Sequence, residues 1–230
     1  YMLSILARQD FDRQINLANI GQFAPTMHAR DRAVLDHGDL PSPRIFRNEG
    51  PVFPDLYPRT IFIVRDPRSV LVSYYHHCVH DTGDTDWPIE AFVDEVLTEG
   101  CIRRLESFQK RWDVRLDEWF ARSNDQPVLV VRYEDLKQDR LAELTRIAGF
   151  LELDVSEDLL NEAVERGSFE HMRGEEQTVG AESYAGEKGA RGFFVRKGKV
   201  DGWRDELPPH VIAKIEDAFR PGMTRLGSLD

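Results

Sequence analysis

The chain has 230 residues, with 41 Asp and Glu against 30 Lys and Arg and a formal net charge of −11. With 41% hydrophobic and 31% charged residues, it has the make-up of an ordinary globular protein with a sizeable core, which excludes global disorder and predicts one domain over 1–230. The acidity argues against a nucleic-acid binder but allows a local basic pocket for one small anion.

Tyr1 to Arg8 reads as the middle of an amphipathic helix with no cap before it, so further chain upstream is expected. Residues 10–43 read as loop with short helical pieces. Pro43 to Arg47 is predicted as a short strand entering the same sheet as Thr60-Ile61-Phe62-Ile63-Val64, a continuous apolar run of the kind buried in parallel sheets. Asp66-Pro67 supplies an N-cap and a first-turn proline, and Val70, Leu71, Tyr74 and Tyr75 follow at helical spacing. Residues 89–121 are predicted as one helix with Ile102, Leu105, Phe108, Trp112, Leu116 and Trp119 on its apolar stripe. Residues 127–133 form a third strand, and a helix follows carrying Leu136, Leu141, Leu144, Ile147 and Leu151. Ser156 caps the next helix and Gly167 ends it. Residues 173–202 are rich in glycine and charge, and Phe193, Phe194, Arg196, Lys197 and Trp203 suit a loop that orders on a ligand better than a plain linker. A last helix is predicted from Pro208 to Phe219, burying Val211, Ile212 and Ile215. Strands alternating with helices imply an α/β fold on a parallel sheet.

Cys78 and Cys101 are the only cysteines, too few for a disulfide framework, which points to a reducing, cytoplasmic setting. No apolar run approaches the roughly 20 residues that span a bilayer, and no signal-peptide pattern is present. Arg65 at a strand's carboxyl end and Ser73 on the second turn of the following helix stand where α/β sheets collect ligands, and together with the helix N-terminus they suit a phosphate. The alternative is a surface pair between Arg65 and Asp66, with Ser73 an incidental helix residue. Arg196-Lys197-Gly198 offers two cations and a residue that lets backbone amides approach an anion closely. Tyr133 and Phe169 could sandwich a flat ring, or simply be core. His76, His77, Cys78 and His80 hint at metal ligation, but no third ligand is identifiable and no metal site is assigned. The motifs of P-loop ATPases, dinucleotide-binding folds and nucleophile-elbow hydrolases are absent.

Together these segments resemble the PAPS-dependent sulfotransferases. Residues 61–75, from Ile61 through Arg65-Asp66-Pro67 to Ser73-Tyr74-Tyr75, are similar to the family's strand and helix that bind the cofactor's 3′-phosphate. Val131 to Leu136 resembles its next strand end, Gly167 to Met172 its adenine-contacting turn, and Phe194 to Gly198 with Gly202-Trp203 its loop closing on the same phosphate. The resemblance implies a three-layer, P-loop-NTPase-like fold, with a parallel sheet flanked by helices and lacking the first strand and its phosphosulfate loop. It further implies that Arg65, Ser73, Arg196, Lys197 and Gly198 hold the 3′-phosphate and that Tyr133, Ser168 and Phe169 contact the adenine side. The expected reaction moves a sulfuryl group from PAPS to a hydroxyl or amine on a small molecule or glycan, releasing adenosine 3′,5′-bisphosphate.

Two departures bear on that expectation. The lysine-bearing loop for the 5′-phosphosulfate, which in the family precedes a helix like Tyr1–Arg8, has no counterpart, so these 230 residues are expected to transfer sulfate poorly by themselves. Where the family commonly has Lys-x-His, this chain has Arg47-Asn48-Glu49, which makes Glu49 the candidate base. Both departures keep open a catalytically impaired protein that retains only the 3′-phosphate half of the site. A P-loop kinase-like domain is disfavoured, since it would need magnesium-binding carboxylates. Neither nucleic acid nor membrane is an expected partner. The acceptor and the oligomeric state stay open, with a homodimer allowed.

Overall fold

The computed structural model describes residues 1–10, 12–26, 42–48, 57–100, 110–179 and 198–229, without the side chains of His80 and Asp81. They fall into two compact units, one of residues 1–61 and 138–198, the other of residues 62–137 and 199–230.

The first unit begins with α1 (Met2–Arg8), which buries Ser4, Ile5 and Leu6. A short α2 (Ile20–Phe23) follows. The helix expected to carry Leu136 through Leu151 is broken at Asp139, whose side chain caps a new helix by accepting from the Ala142 amide at 3.0 Å. The pieces are α6 (Tyr133–Gln138), which straddles the boundary of the units, and α7 (Arg140–Phe150). Leu141, expected on the apolar face, is exposed. Ser156 caps α8 (Glu157–Arg166), and Gly167 follows as its C-cap. Gly167 is also a close-approach point, since a Cβ there would overlap the Met2 side chain of α1.

Arg166, 1% exposed, is the ionic centre of this unit. It donates to the Asp10 carbonyl and to Asp10 Oδ2, both at 3.1 Å, and to the Ile15 carbonyl. Asp10 also accepts from the Gln14 and Ile15 amides at 2.8 Å. Buried charges persist when paired and hydrogen-bonded in this way. Pro43–Arg47 is not a strand: an isolated parallel bridge joins Thr26 to Arg47, and among the described residues no ladder develops from it. Helix α9 (Phe169–Val179) runs into the stretch predicted as a glycine-rich loop. Gly174 is exposed there, and an exposed glycine costs a helix only about 1 kcal/mol. Residues 180–197 lie outside the described residues.

The second unit holds β2 (Val128–Arg132) and Phe62 to Val64 of β1 (Thr60–Val64), a strand that begins at the boundary of the units; the two strands pair in a parallel sheet as the apolar runs predicted. Helix α3 (Pro67–Thr82) follows β1 directly. The single helix expected over 89–121 is two, α4 (Ile89–Glu99) and α5 (Trp112–Arg122), because Gly100 adopts φ +80° and ends α4 with a left-handed cap. Ile102, Leu105 and Phe108 lie outside the described residues. Residues 202–205 form a 3₁₀ turn, and the last helix, α10 (Pro209–Leu226), runs past its predicted end at Phe219. Pro221 is tolerated inside it because both Pro221 and Asp217, whose carbonyl it leaves unbonded, are on the exposed face where water can serve.

Helix α10 packs on α3, α4 and α5 through Val211, Ile215, Phe219 and Met223. Gly222 permits the contact with α5: a Cβ there would lie 2.7 Å from the Trp112 ring and 2.8 Å from Leu116. In α7, by contrast, nothing lies within 4 Å of a Cβ built on Gly149. Alanine relieves helical glycine by about 1 kcal/mol, whereas overpacking a core costs about 1–3 kcal/mol. Gly149→Ala should therefore stabilise the protein and Gly222→Ala destabilise it, as urea unfolding of the two variants will show.

Candidate functional site

The junction of β1 and α3 places the charged residues singled out in the sequence. Asp66 caps α3 by accepting from the Arg68 amide at 2.8 Å, and Pro67 fills the first turn. The same carboxylate takes the Arg68 guanidinium, with Nε at 3.0 and 3.1 Å and Nη2 at 2.5 Å. Arg68 also reaches Glu216 Oε1 on α10 at 2.6 Å and the Ser228 carbonyl at 2.9 Å, and it lies 4.0 Å over the Trp203 ring. Arg68 and Asp66 are 5% and 7% exposed. Burial pulls the Arg68 pKa down, but Asp66 and Glu216 outweigh it and hold the group above its ordinary value. The alternative of an Arg65–Asp66 surface pair is thereby overturned, since Asp66 is committed to Arg68.

Arg65 is held differently. Its Nη2 donates to the Lys199 carbonyl at 3.1 Å, and its guanidinium lies 4.4 Å over the ring of Tyr133, the first residue of α6. Trp112 Nε1 donates to the Arg65 carbonyl at 3.0 Å, and the Asp66 amide donates to Glu134 Oε1 at 3.0 Å, so the main chain is fixed on both sides of the junction. Arg65 Nε is buried and, among the described residues, meets no acceptor. A guanidinium with positions fixed and a donor unspent suits an anion at the carboxyl end of a parallel strand. Ser73 stands exposed on α3.

In the first unit, Ser168 Oγ accepts from the His171 amide at 3.1 Å, opening α9, and Phe169 is the first residue of that helix. Gly198 has φ +61°, and a Cβ there would come within 2.6 Å of the Phe169 ring. Its backbone therefore lies against that ring in a conformation other residues rarely adopt. Glu49, Arg196 and Lys197 lie outside the described residues. His76 Nε2 faces Glu206, and Cys78 is buried. Among the described residues no three His, Cys, Asp or Glu side chains come together as a metal site, and no helix is long and apolar enough to cross a membrane.

A family model described as the sulfotransferase domain matches residues 8–227. The chain belongs to the sulfotransferase family. Among curated sulfotransferases, it is 26% identical to the amine sulfotransferase of Oryctolagus cuniculus over 82% of this chain and 64% of that protein. To cytosolic sulfotransferase 12 of Arabidopsis thaliana it is 31% identical, over 79% of this chain and 57% of that protein. The chain thus spans less than two thirds of these relatives. A crystal structure of a retinol dehydratase with androsterone and inactive cofactor PAP superposes with TM-score 0.63 at 23% identity, covering 83% of this chain and 56% of that one. Mouse sulfotransferase SULT7A1 complexed with PAP gives TM-score 0.58 at 24% identity, covering 71% of this chain and 58% of that one. These likenesses show the fold, a P-loop-like α/β arrangement with a parallel sheet flanked by helices.

In this member of the sulfotransferase family, Arg65 and Tyr133 stand out in the sequence, but the residues that fix the main chain around Arg65 do not. Trp112 and Glu134 act through contacts distant in sequence, whereas the pairing of Arg68 with Asp66 is local and is hinted at by the Asp-Pro-Arg order beside the strand end. Because Asp66 is buried, Arg68→Met should cost about 3–5 kcal/mol by leaving that carboxylate unpaired. The double variant Asp66→Asn with Arg68→Met should lose much less than the sum of the two single changes, a coupling that chemical denaturation of all four proteins measures.

Proposed function

We propose that this sulfotransferase domain binds PAPS and takes part in sulfuryl transfer to a hydroxyl or amine acceptor, in the cytoplasm. The observation that carries the reading is Arg65: a strand-end guanidinium fixed by Lys199 and Tyr133, with a buried Nε donor still to be met. The PAP named in the neighbouring structures and the family match over 8–227 support it. That continuous match also supports reading both units as parts of one domain. The relatives' names, amine and luciferin sulfotransferases, support a small-molecule acceptor, with a glycan as the larger option.

The residues present fit the nucleotide. Arg65 brings a charge-assisted donor, Ser73 an exposed hydroxyl, and Gly198 a backbone with no Cβ to hinder approach. PAPS, when bound, supplies the sulfuryl group, and adenosine 3′,5′-bisphosphate is what remains of it. In this reading Arg65, Ser73, Arg196, Lys197 and Gly198 hold the 3′-phosphate, while Tyr133, Ser168 and Phe169 contact the adenine side. Glu49 accepts the acceptor's proton, and no metal is needed to place these charges. A second reading, a nucleotide-binding protein with impaired catalysis, is favoured by one observation, the Arg47-Asn48-Glu49 sequence in place of Lys-x-His.

Thermal unfolding against adenosine 3′,5′-bisphosphate tests the site. At a hundredfold excess over Kd, a ligand specific to the folded state adds about 2.7 kcal/mol, or roughly 5–10 °C for a chain of this size. The rise should vanish in Arg65→Ala; a wild type that does not respond would overturn the reading. Glu49→Gln separates the two readings: loss of turnover by about 100-fold with nucleotide binding intact is the outcome for a general base. Unchanged turnover would remove Glu49 from the mechanism.

A further inference from the structure

The segment following Gly198 is fastened along one face of α3. Ser69, Ser73 and His76 lie on that face, four and three residues apart. Ser69, 4% exposed, donates from Oγ to the Val200 carbonyl at 2.8 Å. The preceding carbonyl, that of Lys199, accepts from Arg65 Nη2 at 3.1 Å. Further along, Trp203 is buried under Arg68, and Glu206 faces His76. Ser73 stands between these fastenings, exposed.

We infer that Ser69 is a positioning residue for Arg65, acting through the Lys199–Val200 peptide; the inference rests on the 3′-phosphate reading of Arg65. Two consecutive carbonyls are tied to two side chains four positions apart in sequence, Ser69 from α3 and Arg65 from the residue just past β1. The Ser69 bond fixes the plane of the strap, and the strap's Lys199 carbonyl in turn fixes one nitrogen of the Arg65 guanidinium. The Tyr133 ring supports its face. With one Nη and one face engaged, the guanidinium is oriented in advance and its Nε remains to meet an anion. Loss of the Ser69 hydroxyl leaves the Val200 carbonyl without that donor and lets the strap, and with it Arg65, sample other positions before binding, which lowers affinity without removing a contact to the ligand.

The test compares adenosine 3′,5′-bisphosphate with adenosine 5′-monophosphate, which lacks the 3′-phosphate, by calorimetric titration of the wild type, Ser69→Ala and Ser69→Thr. Wild type should prefer the bisphosphate. Ser69→Ala should weaken the bisphosphate about three- to tenfold, the range one hydrogen bond commands, and leave the monophosphate unchanged. Ser69→Thr, which keeps the hydroxyl, should restore the preference, and urea midpoints of the unliganded proteins will separate any global loss of stability. Equal weakening of both nucleotides, or none, overturns the role of Ser69 while the 3′-phosphate site stands. A wild type that binds both nucleotides equally overturns the site itself.

Discussion

A carboxylate that caps a helix can neutralise only so many cations, and in this protein the allocation of Asp66 decides the rest. Asp66 stands between two arginines. Its fork to Arg68 satisfies both buried charges and ties the start of α3 to Glu216 on α10 and to the Ser228 carbonyl. Arg65 is thereby left facing a neutral carbonyl and an aromatic ring. Neither partner cancels its charge, so the cation keeps its pull on an anion while its geometry is fixed. Had Asp66 turned the other way, the strand end would carry a neutral pair, and Arg68 would be left with the half-buried Glu216 in place of its buried carboxylate.

The first unit solves a similar problem with Arg166 and Asp10. There the arginine spends its donors on Asp10 and on the Ile15 carbonyl, which fixes the chain just after α1. The carboxylate spends its acceptors on two amides besides. Arg166 is a pair closed on itself, and Arg65 is an open one. That difference in spent hydrogen-bonding capacity, rather than charge alone, separates a structural arginine from a candidate ligand-binding one.

What was legible in the sequence follows from the range of the interactions involved. The apolar run at 60–64, the Asp66-Pro67 cap and the Ser156 cap are local signals, and the structure has them where the sequence puts them. The breaks at Gly100 and Asp139 were equally local, but a continuing apolar period masked them. The extension of α10 through Pro221 was illegible because proline signals a stop unless its orphaned carbonyl faces water. The position of Arg65 could be read from its strand; its partners could not. Lys199 and Val200 meet residues more than a hundred positions away, and no periodicity carries that information. Membership in the sulfotransferase family was legible because four short motifs occur in a fixed order, which is information of a different kind from any single contact.

The two units are interleaved along the chain, each made of two stretches separated by part of the other. During synthesis, Arg68 leaves the ribosome long before Glu216 and Ser228 exist. Until they do, a guanidinium and a carboxylate destined for the interior have only each other, and the apolar faces of α3 and α4 have no α10 to cover them. Closure over so long a loop is entropically slow, and the partly built intermediate exposes the surface that aggregates. The second unit can thus first become stable only after residues 199–230 have been made, and chaperone dependence would be felt most by chains stalled between Lys137 and Lys199.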